Sequence, residues 1–203
     1  MPTKEQTTRD RIVEAAADLF YRRGFDHTSF ADIADAVQIS RGNFYYHFKS
    51  KDEILSAVIQ ARLSERDEML DRWDTEDERP EDRIRSVVDI QTRNRSLILR
   101  YGCPIGTLCT ELGKLNHTAR SEADQLFRLF RTWLRRQFTL LGRRDSADSL
   151  AMHILARTQG VASLASALRD KAFIRREVRE IHDWLDAQAE RATPPAPRKR
   201  RVH

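Results

Sequence analysis

The chain has 203 residues, 33% of them charged and 40% hydrophobic, with 36 Lys and Arg against 31 Asp and Glu for a net charge of +5. That length holds one sizeable core or a small domain joined to a larger one, and only 7 Gly and 6 Pro in so charged a chain fit amphipathic helices better than strands and turns. No apolar run approaches the roughly 20 residues of a membrane span, the start lacks a secretory signal, and Cys103 and Cys109 are too few for a disulfide framework, so a cytoplasmic, all-α protein with free thiols and no membrane contact is expected.

The first helix is TTRDRIVEAAADLFYRRG, where Ile12, Ala15, Ala16, Leu19, Phe20 and Arg23 recur at helical spacing and Gly24 ends the helix. Thr28 or Ser29 caps a short second helix whose Phe30, Ile33, Ala34 and Val37 turn inward, with Asp32 placed to complete a capping box. After the tight turn QIS, Ser40 caps a third short helix, RGNFYYHF. Phe44 and Phe48 are four apart and share its buried face. A two-turn helix cannot bury all five consecutive rings, so Tyr45, Tyr46 and His47 join Arg41 and Asn43 on a polar and aromatic outer face, the pattern of a helix-turn-helix. Lys51 follows the cap Ser50 at the positive end of a fourth helix, where an ammonium and backbone N–H groups can share a phosphate.

The fourth helix is expected over residues 51–73, and the acidic stretch DTEDERPED leads to a fifth that begins at Pro80 and ends near Gly102. PIGTLCTELGKL is a short sixth helix. A seventh, with Leu126, Phe130, Trp133, Leu134 and Phe138, is apolar enough to be central. The last two, SADSLAMHILARTQGVASLASAL and KAFIRREVREIHDWLDAQ, carry Leu164 and Leu168, and Ile174, Val178, Ile181 and Leu185, as stripes suited to half of a four-helix dimer interface. The tail, residues 193–203, is expected to be disordered and basic. Without its Arg198, Lys199, Arg200 and Arg201 the net charge falls to +1, so a case for nucleic acid rests on where basic groups lie, not on their number.

No GxSxG, Walker loop or HExxH occurs, and the 6 His form no cluster at metal-ligand spacing, so no catalytic residue, metal or cofactor is expected. A lining of Leu97, Tyr101, Phe130 and Trp133, with His153 as a buried hydrogen-bonding group, implies an apolar or aromatic small-molecule effector. Cys103 precedes Pro104, which suits the first position of a helix, so the thiol becomes the cap. That place faces the positive helix end and favours a thiolate able to meet electrophiles.

Over residues 8–55 the chain resembles the tetracycline-repressor (TetR) family of bacterial regulators, on IVEAAADLFYRRGFDHTSFADIADAVQISRGNFYYHFKSKDEIL. Its marks are Arg-Gly-Phe after the first helix, Thr-Ser before the second, Ile-Ala within it, and Tyr-Tyr-His-Phe-Lys-Ser-Lys. The resemblance implies a DNA-binding domain over residues 1–50 and a ligand-sensing and dimerising helical bundle over 51–192. It further implies that Arg41, Gly42, Asn43 and Tyr45, on the helix capped by Ser40, face the major groove. Tyr46, His47, Lys51, Thr28 and Ser29 would hold phosphates. One departure is Gln38, where the family usually has Gly, and a non-Gly residue in a left-handed turn costs on the order of 1 kcal/mol. GCPIGTLCTEL is similar to the opening of the same helix in the branch that includes the N-ethylmaleimide-reductase repressor. The function implied is a ligand-responsive regulator, a repressor that binds a near-palindromic duplex operator as a homodimer and is released by an apolar or electrophilic effector. The alternative is a dimeric helical scaffold without a DNA role.

Overall fold

In the computed structural model, which describes residues 7–192, ten α-helices and one short 3-10 turn are found among the described residues. The expected tail at 193–203 lies outside them. Three short helices open the chain: α1 (Thr8–Arg23), α2 (Phe30–Val37) and α3 (Arg41–His47). Their starts are set by side chains, with Thr7 and Asp10 closing a capping box on α1, Ser29 and Asp32 another on α2, and Ser40 accepting from Asn43 N on α3. Ile12, Phe20, Ile33, Phe44 and Phe48 form the centre of this head, and the first two turns of α4 (Lys51–Glu76) are part of the same core through Ile54, Leu55, Val58 and Ile59. The turn at Gln38 has the left-handed geometry the sequence implies, φ 56° and ψ 47°.

The single fifth helix expected from the sequence is two: α5 (Pro80–Arg93) and α6 (Arg95–Tyr101), broken at Asn94 with φ −99° and ψ 17°. The run Arg93-Asn94-Arg95 is polar throughout, and Asn competes poorly for helical geometry. Pro80 opens α5 and Pro104 opens α7 (Pro104–Lys114), each at the first helical turn. Next come α8 (Arg120–Leu140), α9 (Ala147–Leu168) and α10 (Lys171–Ala192). α8 is central as expected, touching α4, α5, α7 and α9. No helix among the described residues is long and apolar enough to cross a membrane.

The second core joins α5, α6 and α8 to α10. The α10 stripe expected at a dimer interface is core instead. Ile174, Val178, Ile181 and Leu185 are buried within the protomer, 0 to 6% exposed, where α10 packs on α5 and α9. Two apolar helix faces in one chain met each other first, because a stripe read from sequence carries no label for its partner. Leu164 and Leu168 differ: they stay 50% and 67% exposed on α9.

Candidate nucleic-acid interface and ligand cavity

On α3 the ring-rich run divides as its spacing requires. Phe44 and Phe48 are buried, whereas Tyr45 and Tyr46 are 51% and 78% exposed. Tyr45 stacks on Phe30 with ring centres 5.6 Å apart, and the Tyr46 ring meets His47 edge-on at 5.2 Å. Asn43 is exposed beside them, and a Cβ added at Gly42 would touch nothing within 4 Å. A ligand backbone can therefore approach α3 closely. Ser29 and Ser40 are exposed caps, Arg41 opens α3, and the side chain of Arg41 lies outside what is described.

Two expected phosphate contacts turn inward instead. Thr28 is 1% exposed and its hydroxyl donates to Gly24 O at 2.7 Å, closing the turn between α1 and α2. Lys51 lies over the Phe25 ring at 4.2 Å and donates to Phe25 O at 3.0 Å and Asp26 O at 3.4 Å. Carbonyls left free after the end of α1 need donors, and the Lys51 ammonium supplies them from within the fold.

That same loop is gripped from the other side. The Glu111 carboxylate on α7 accepts from Phe25 N and Asp26 N, both at 2.9 Å, and a Cβ at Gly24 (φ 92°) would approach it to 2.8 Å. Only glycine fits there. Tyr21 of α1 donates to Gly102 O at 2.8 Å, and burial pushes its phenol up to about 12, so it remains a donor. Arg62 of α4 donates to Ala17 O at 3.1 Å, and burial holds its guanidinium below the usual range. The head is thus fastened to the bundle by charged or phenolic groups on backbone, none of which periodicity reveals.

Within the bundle a cavity of about 320 Å³ lies between α4, α5, α6, α7, α8 and α9, at the small end of the ~300–1,000 Å³ usual for ligand sites. Trp73, Ile98, Ile105, Phe127 and Phe130 give it apolar walls. Of the six residues expected to meet an effector, Cys103 and Phe130 line it. The others do not. Leu97 is 43% exposed, and Tyr101 packs against Tyr21 at 5.4 Å. Trp133 gives its indole N–H to Asp74 at 3.1 Å, in a buried cluster with Gln137. His153 is exposed, its ring stacked on Trp184 at 4.4 Å. Hydrophobicity selected these positions, but which side of a helix faces a void is decided by packing.

Cys103 does cap α7: its Sγ accepts from Gly106 N at 3.5 Å and from Gln159 Nε2 at 3.4 Å. Cys109 points away, donating to Ala123 O at 3.5 Å, and burial pushes its thiol up to about 11. Sequence reasoning missed Gln91, Thr158 and Arg66 in the cavity wall. The first was legible as a lone polar residue on the Ile84, Val87, Val88 face of α5. A wider groove between α1 and α4 is lined largely by charged groups such as Arg9, Asp10, Glu14 and Glu65, which suits solvent.

A family model described as bacterial regulatory proteins, tetR family, matches residues 12–58. The chain is 33% identical over 124 residues to an uncharacterized HTH-type transcriptional regulator of Lactococcus lactis subsp. lactis, a match spanning 60% of this chain and 63% of that protein. It is 29% identical over 196 residues to the HTH-type transcriptional regulator TtgR of Pseudomonas putida, spanning 91% of each. Among solved structures, a TetR transcriptional regulator from Legionella pneumophila superposes with a TM-score of 0.79 and 26% identity, covering 91% of this chain and 98% of that one.

Proposed function

The chain belongs to the TetR family of transcriptional regulators, and from that premise we propose that it is a ligand-responsive repressor, dimeric on a near-palindromic operator and released when a small molecule enters the bundle cavity. The observation that carries the reading is α3: a two-turn helix with two rings locked in the core and Asn43, Tyr45 and Tyr46 held outward on a capped, rigid base. Such a helix fits the major groove, with Asn43 suited to an adenine edge and Tyr46, His47, Ser29 and the α3 N-terminus near phosphates. The division of labour falls near Ser50, with the reader before it and the sensing and dimerising bundle after it.

Signal passes through α7. Its first turn, at Cys103, Pro104 and Ile105, forms part of the cavity wall, and its Glu111 holds the loop after α1. A molecule or a covalent adduct that shifts α7 therefore shifts the head and the spacing of two recognition helices, which must match one duplex turn, about 34–36 Å. Electrophile attack at Cys103 is one such input. The partner protomer meets the exposed Leu164 and Leu168 face of α9.

The experiment is a mobility shift with the duplex just upstream of the protein's own gene, followed by a thermal-shift screen of small hydrophobic and electrophilic compounds. Retarded specific duplex, released by a compound that also raises the melting temperature, is the expected result. Binding no tighter than to random duplex would favour the scaffold instead.

A further inference from the structure

Gln91 sits on α5 with 5% exposure, in the cavity wall, and its Oε1 has no hydrogen-bond partner. A buried amide oxygen without a partner is costly to keep in a fold that could place leucine there. Thr158, 3% exposed in the same wall, spends its hydroxyl proton on Ile154 O and Leu155 O at 2.9 and 3.1 Å, so it supplies no donor for an anionic ligand. The opposite character appears where the cavity meets solvent. Arg72 and Arg93 are exposed and Arg66 is half-buried, no Asp or Glu lines the cavity, and none of the three arginines forms an ion pair among the described residues. Arg66 Nη1 meets the Met69 sulfur at 3.9 Å, and the Arg93 guanidinium lies over the Trp73 ring at 5.5 Å.

From this polarity, and resting on the effector reading above, we propose that the cavity takes a small planar hydroxy acid. Its aromatic body lies among Trp73, Phe127 and Phe130, its hydroxyl reaches Gln91, and its carboxylate faces Arg66 at the open end. A hydroxyl both donates and accepts, so it satisfies the Gln91 amide in either orientation. A guanidinium offers a carboxylate two parallel hydrogen bonds. An apolar molecule without these groups would fill the space and leave both ends unmet.

The test is calorimetric binding to the full chain free of DNA, with three probes: 4-hydroxycinnamate, cinnamate without the hydroxyl, and methyl 4-hydroxycinnamate without the charge. The hydroxy acid should bind about tenfold or more tightly than either analogue, the loss expected when a buried polar partner goes unmet. Gln91→Leu should erase the difference between the two acids, and Arg66→Gln the difference between acid and ester. Without ligand, Gln91→Leu should melt higher than the wild type, since it removes an unmet oxygen. A lower melting temperature would mean the amide is satisfied within the fold, and would overturn the proposal. So would an ester that binds as well as the acid, or no binding by any probe. Those failures leave the regulator reading standing, because operator binding without ligand judges it separately.

Discussion

The head and the bundle treat their buried polar groups in opposite ways. Among described residues 7–50 no buried polar side-chain atom lacks a partner, and even Thr28 is spent on closing a turn. Around the bundle cavity Gln91 keeps an unpaired oxygen, and three arginines line the wall without a carboxylate. A domain that must present the same face to every operator gains from having each local bond made. A domain that must answer a ligand needs something left for the ligand to complete.

The largest effect that would test this contrast comes from the bundle's own packing. Ile181→Glu puts a carboxylate at a position with 0% exposure and should cost on the order of 4 kcal/mol or more, seen as a large drop in melting temperature. Leu164→Glu, at a half-exposed site, should leave the protomer folded by circular dichroism but monomeric by light scattering, with operator affinity lost. If the two variants behave alike, the distinction between core and partner face is wrong.

Glu111→Ala removes the acceptor for two backbone N–H groups at the joint and should cost about 1–3 kcal/mol in thermal unfolding. It should also leave operator binding insensitive to any effector that releases the wild type. On the DNA side, Asn43→Ala should lose about 1–3 kcal/mol on the operator and nothing on random duplex. Lys51→Ala should instead lower the melting temperature, because its ammonium holds the Phe25 and Asp26 carbonyls, and leave the preference for operator over random duplex unchanged. Anisotropy titrations beside melting curves separate the two.

The smallest effects refine the head. Gln38→Gly should relieve the left-handed turn and add at most about 1 kcal/mol of stability. Hydrogen bonds from Ser29 hold the Asp32 carboxyl below the usual carboxylate range. A carboxyl so lowered stabilises the fold above its ordinary range and loses that contribution as pH falls. Ser29→Ala should move the Asp32 titration, followed by NMR, back up.

The head was the more legible region because its signals are local. Caps at Ser29 and Ser40, a turn at Gln38, and Phe44 and Phe48 four residues apart each declare themselves within a few residues. The bundle's helices were legible by the same means, save for the break at Asn94. Its site was not. Leu97, Trp133 and His153 looked like lining residues on apolar helices, yet the void lies on other faces, set by how six helices meet. Lys51 and Glu111 show the same limit at the joint, since each bonds backbone far away in the chain.

The claim that the outward face of α3 reads DNA is tested most directly by one titration. Labelled duplex from just upstream of the protein's own gene is titrated with wild type and Asn43→Ala, with random duplex in excess and at several salt concentrations. Two protomers should bind per duplex, with wild-type preference for that duplex at every salt and the variant losing about 1–3 kcal/mol there and none on random sequence. Equal affinity for both duplexes, unchanged by Asn43→Ala, would contradict it.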